Sequence, residues 1–164
     1  MKLAFYAFGN FRLSGIHAGI QMGHAACELF TTENQKRYSP EQKRMVQQWV
    51  DRDKVFVFLH AGQSKDILEA YNLHTEKLQF PTTLFREEPE AFGDDANTKG
   101  AVTAWGLVIP ESVYAARWER PSEETLGYYR AGVQDGERIV YHHWTEGKPE
   151  FDFLKYKSQF GLAR

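Results

Sequence analysis

The chain has 164 residues, of which 42% are hydrophobic and 15% aromatic, enough apolar surface for one domain with a core of its own. No apolar run approaches the roughly 20 residues that a membrane-spanning helix needs, and the single cysteine, Cys27, excludes an internal disulfide and a multi-cysteine zinc site. The net charge of -2 lacks the basic excess of proteins that grip long nucleic acids, and suits a small ligand better than a large polyanion.

The first residues resemble a secretory leader only as far as Phe8. Gly9, Asn10 and Arg12 then intervene with no cleavage-like end, so residues 3–8 are expected as a buried strand of a cytoplasmic protein. Residues 10–15 form a loop. Ser14 is placed to cap a helix reaching about Phe30, with Ala18, Met22, Ala25 and Leu29 at helical spacing toward a sheet. Ser39 followed by Pro40 opens a second helix that runs to about Val50. The apolar run at residues 55–59 predicts a strand covered on both faces. Ser64 caps a third helix through Ile67, Leu68 and Tyr71, and residues 82–85 form a strand. Residues 87–99 are acidic, contain proline and glycine, and read as a loop. Residues 103–109 form a fourth strand, and Pro110 opens a short helix through Val113 and Trp118.

This order predicts an α/β fold, a mixed four-stranded sheet layered with helices, in a domain of residues 1–118. Residues 119–164 are expected as a C-terminal extension packed on that domain. Asp135-Gly136 marks a hairpin turn within it, followed by a strand to Trp144. Its aromatic tail, residues 151–160, would cross the sheet edge or the site, or offer a homodimer surface. His142 and His143, adjacent on a strand, point to opposite faces and cannot act as a pair.

The stretch richest in chemistry is residues 15–26. His17, Gln21 and His24 recur at i, i+4 and i+7, and Glu28 continues the stripe, so one helix face carries two imidazoles, an amide and a carboxylate. A solvated polar face and a candidate site both fit that spacing. A metal held by His17, His24 and Glu28 is disfavoured, because three ligands along one straight helix are unusual; no metal or cofactor is expected. Cys27, with no cationic neighbour in sequence, is expected as a small buried residue.

These residues resemble the signature of the archaeal- and eukaryotic-type peptidyl-tRNA hydrolases, a helix opening on a pattern like G-K-x-A-A-Q-x-x-H-A after a strand and a basic loop. Without a gap, Gln21, His24 and Ala25 fall on the family's glutamine, histidine and alanine, and Arg12 falls on a basic loop residue. Gln48-Trp49 before an apolar strand is similar to the family's second half, and residues 103–110 resemble its closing strand, T-V-L-G-I-G-P. The resemblance covers residues 1–118 and implies the family's fold.

The chain also departs from the pattern. The family's lysine at the helix start is His17 here, which exchanges a fixed cation for one that switches near neutrality. The arginine-asparagine-aspartate run of the loop is Phe8-Gly9-Asn10. In the family's D-A-G-R-T-Q loop the aspartate, implicated in catalysis, falls on Ala91 beside Glu90, and the arginine and threonine fall on Asp94 and Asp95. Glu87, Glu88, Glu90, Asp94 and Asp95 would repel a phosphate backbone.

Three functions follow as expectations. The first is a divergent member that sequesters or cleaves a small nucleotide-containing ligand, with tRNA a poorer partner. Helix N–H groups and Arg12 would hold a phosphate, Phe8 and Phe11 would stack on a base, and Asn10 and Glu90 would line the site. His17, His24 and Gln21 would be the catalytic group. The second is an authentic hydrolase of the peptide–tRNA ester, with His17 or His24 as base and Gln21 aligning the ester. The third is a non-catalytic interaction module that keeps only the scaffold.

Overall fold

The structure, a computed structural model, describes residues 1–10, 12, 13, 15–87, 100–122 and 126–160. Strand β1 (Leu3–Gly9) leads into helix α1 (Gly15–Glu28). Two further helices follow, α2 (Thr32–Arg37) and α3 (Pro40–Gln48), then a wide turn at Trp49–Asp53 and strand β2 (Val55–His60). Helix α4 (Ser64–Thr75), strands β3 (Thr82–Arg86) and β4 (Val102–Pro110) and the short helix α5 (Glu111–Tyr114) complete the first part. The rest contains β5 (Arg117–Glu119), β6 (Tyr128–Asp135), β7 (Arg138–Trp144) and α6 (Pro149–Lys157).

The main sheet is mixed, with four strands in the order β2-β1-β4-β3. β1 runs parallel to β2 and antiparallel to β4, and β3 is antiparallel to β4. The two central strands are buried along their whole length, as apolar runs covered on both faces should be. β5, β6 and β7 form a second, antiparallel sheet. The hairpin closes through Gly136 and Glu137, one residue later than the Asp135-Gly136 signal: Asp135 ends β6 and pairs with Arg138, and Gly136 takes the positive φ of 60 at the first loop position. Among the described residues no helix is long and apolar enough to cross a membrane.

Alternation along β1 divides the core in two. Leu3, Phe5 and Ala7 face α1 and pack with Ala25, Ala26, Leu29 and Trp49. Ala4, Tyr6 and Phe8 face the other way, into a cluster with Ile67 and Ala70 of α4, Trp105 and Phe153. Phe153 and Leu154 of α6 are fully buried there. The aromatic tail is therefore part of the core on that face, and supplies rings that the first 118 residues do not provide.

Local signals placed α3 well. Ser39 Oγ accepts from the Gln42 N–H at 3.2 Å, and Gln42 Oε1 accepts from the Ser39 N–H at 2.9 Å, a reciprocal cap before Pro40. Other expectations need correction. β2 lies at the sheet edge with one neighbour, so it is not covered on both sides, and Val55 and Phe56 are 42% and 45% exposed. Ser64 is the first residue of α4 rather than its cap; the turn before it is held by Asp66 Oδ2, which accepts from the Gln63 N–H at 2.8 Å. The helix after Pro110 ends at Tyr114, and Trp118 sits on β5, because pairing with Tyr129 of β6 outweighs further helix. α2 is an element with no expectation from the sequence, and β6 is implied there only as the first strand of the hairpin at Asp135-Gly136. Cys27 is exposed, since the buried stripe of α1 runs through Ala18, Gln21, Ala25 and Ala26 and leaves it on the outer side.

Candidate functional site

The segments that leave the carboxyl ends of β1 and β2 part to opposite faces of the sheet. The first enters α1, on the face of Phe5 and Ala7; the second enters α4, on the face of Phe8 and Trp105. In open α/β sheets, ligands usually bind where the connections from neighbouring parallel strands diverge in this way at the strands' carboxyl ends.

Asn10 bridges the two diverging segments. Its backbone N–H donates to Thr103 O at 3.0 Å, which ties the end of β1 to β4. Its Oδ1 accepts from the Arg12 N–H at 3.0 Å, and its carbonyl accepts from the Leu13 N–H at 3.2 Å. These two bonds form the turn that holds Arg12 on the exposed rim. Asn10 Nδ2 reaches Ser64 Oγ at the start of α4, at 3.4 Å. His60 lies opposite Gly9 in the β1–β2 register, and its Nδ1 is buried with no hydrogen-bond partner among the described residues.

The two helix starts differ electrostatically. Asp66 sits in the first turn of α4 and already satisfies donors there. The first turn of α1 has no acidic residue. Of the two, α1 presents the more positive end.

The structure separates the residues of the α1 stripe. His17, in the first turn of the helix, is exposed. Gln21 is buried, and its Oε1 accepts from Thr103 Oγ1 at 2.6 Å. Thr103 can face α1 because the β3–β4 register shifts between Phe85 and Arg86, leaving it without an opposite residue on β3. Gln21 thus pins helix to sheet instead of lining an open groove beside the two histidines. His24, on the exposed side, stacks its ring on Phe85 with centroids 4.7 Å apart and planes 7° from parallel.

Phe8 departs furthest from the sequence reading. It is fully buried and surrounded by Trp105, Phe153, Tyr156 and Phe160, with ring centroids 4.9–6.2 Å away. No face of its ring is open for a base, because strand alternation turns it toward α4 and α6. Phe11, Glu90 and Ser14 lie outside the described residues, as does the acidic loop beyond Glu87. Among the described residues no three His, Cys, Asp or Glu side chains converge to hold a metal ion, so His17, His24 and Glu28 do not form such a set. The sequence reading missed His60 and Ser64 as residues of this region. His60 directly follows an apolar strand run, a position that marks a strand's carboxyl end.

The chain matches no protein-family model and no curated protein.

Proposed function

We propose that this chain is a divergent protein of the peptidyl-tRNA hydrolase-like fold that binds a small nucleotide-containing ligand at the carboxyl ends of β1 and β2, to sequester or to cleave it. The observation that carries this reading is the parting of α1 and α4 to opposite faces beyond the carboxyl ends of two parallel strands. A phosphate would lie near the start of α1, where no carboxylate occupies the first turn. Arg12, held on the rim by the Asn10 turn, would contribute charge. His17, exposed on the first turns of the same helix, would contact the phosphate or exchange a proton with it.

The correction at Phe8 changes how the base would be held. With that ring in the core, stacking falls to other groups at the strand ends, and Asn10 and His60 remain as polar contacts for its edge. The acidic sequence at residues 87–95 continues to disfavour a long polyanion over a single nucleotide.

The direct test is a mass spectrum of small molecules released when the purified protein is denatured, followed by calorimetry against a panel of nucleotides. A nucleotide that binds should lose about 1–3 kcal/mol of affinity in Arg12→Ala and in His17→Ala, the range for a charge-assisted hydrogen bond. Unchanged affinity in both variants would place the site elsewhere and leave α1 as scaffold.

A further inference from the structure

A cavity of about 580 Å³ lies on the face of the sheet opposite α1, between the β1–β2 edge and the C-terminal part of the chain. Its volume is that of a small-molecule site. It is separate from the site at the carboxyl ends of β1 and β2 and shares no residue named there.

The walls are aromatic. Tyr6 and Tyr114 stack with centroids 6.1 Å apart, and Trp118 meets Tyr129 edge-on at 5.2 Å. Trp118 is 52% exposed, an unusual place for a large ring unless something covers it. Two cations line the cavity: Lys157 of α6, half-buried, and Arg117 of β5, exposed, whose Nη1 donates to Ala115 O and Ala116 O at 3.3 Å. Among the described residues neither has a carboxylate within ion-pair distance. Lys157 Nζ donates to Tyr114 O at 2.9 Å and lies 5.4 Å from the centre of the Tyr6 ring. An ammonium has three donors, and only this one bond is made among the described residues.

We infer that this cavity binds a small organic anion, a flat ring carrying one acidic group, with the ring against the tyrosines and Trp118 and the acid on Lys157 and Arg117. Lys157, half-buried against tyrosine rings without a counter-charge, bears part of the cost of leaving water, and an anionic ligand removes that cost. The same burial, reinforced by the charge of Arg117, lowers the Lys157 pKa to about 8. Tyr6 and Tyr114 face the ammonium from β1 and α5, and burial raises both, Tyr114 to about 12, so neither supplies the negative charge near neutrality. A purely structural Lys157 would only cap the end of α5 through the Tyr114 carbonyl, and would show no preference for an acid.

The test uses two probes with the same ring system, 2-naphthoate and the uncharged 2-naphthylmethanol, titrated into the whole chain by calorimetry and by amide chemical shifts. Naphthoate is expected to bind more tightly than the alcohol. Lys157→Met keeps most of the apolar stem, and should weaken naphthoate roughly tenfold or more while leaving the alcohol unchanged. Arg117→Gln, at an exposed position, gives the same comparison if the first variant misfolds. Raising the pH from about 7 to about 9 should weaken naphthoate in the parent chain, since the ammonium is lost over that window, and should have no such effect in Lys157→Met. Equal binding of acid and alcohol, no binding of either at millimolar concentration, or variants that bind naphthoate like the parent would each overturn the inference.

Discussion

Thr103 and Gln21, 82 residues apart, are joined by a 2.6 Å hydrogen bond inside the protein, between the hydroxyl of one and the side-chain carbonyl of the other. Each lies where α1 meets the closing strand, and each is almost inaccessible to water. Thr103→Val keeps the shape but strands the Gln21 carbonyl, which should cost about 1–3 kcal/mol of stability. Replacing both partners, as Thr103→Val with Gln21→Leu, should recover part of that loss, because no buried acceptor is left unpaired. Urea denaturation of the three variants measures it. A single variant as stable as the parent would mean that the bond does not hold the helix.

His74 makes stability sensitive to acid. Its ring is 3% exposed and lies nearly parallel to Trp105, at 4°. Burial lowers its pKa below the ordinary 6.5; nearby Asp152 opposes the shift and Lys77 adds to it. The unfolded chain therefore binds the proton more readily than the folded one. Stability from the neutral ring is fully present above about pH 6.5 and is lost as the pH falls through the lower folded value. His74→Phe should flatten the acid side of the stability profile relative to the parent, as read by denaturant midpoints at several pH values. Parallel profiles would assign the acid sensitivity to other groups.

Transfer RNA should be a poor partner. With a net charge of -2 and a run of carboxylates at residues 87–95, few phosphates can be neutralised. Binding should be weaker than about 1 μM at physiological salt, in the range of non-specific association. Incubation with a peptidyl-tRNA should show no ester loss at an enzymatic rate, on the order of 1 per second. Turnover at that rate, abolished by His24→Ala, would replace the nucleotide-binding reading with authentic peptidyl-tRNA hydrolysis.

The sequence by itself determined those elements whose signals lie within a turn or a strand. The Ser39–Gln42 cap, the apolar runs of β1 and β4, the small-residue stripe of α1 and the turn at Gly136 each depend on neighbours in the chain. That was enough for an α/β reading with four strands in the main sheet; it also grouped His17, Gln21 and His24 on one face of α1, of which the structure leaves the two histidines exposed and buries Gln21. Tertiary structure decided everything that depends on what lies opposite. Phe8 lies in the core because α4 and α6 close over its face of the sheet, and its own identity fits a buried ring or a stacking one equally. β2 is exposed because the strand order leaves it at an edge, although its residues are those of a central strand. Gln21 is structural in its contacts because the register shift in the β3–β4 pairing, at Thr103 itself, aims that residue at it. Tyr6, Arg117 and Lys157 meet only once α6 folds back over β1, since pairing across more than a hundred residues leaves no trace in local periodicity.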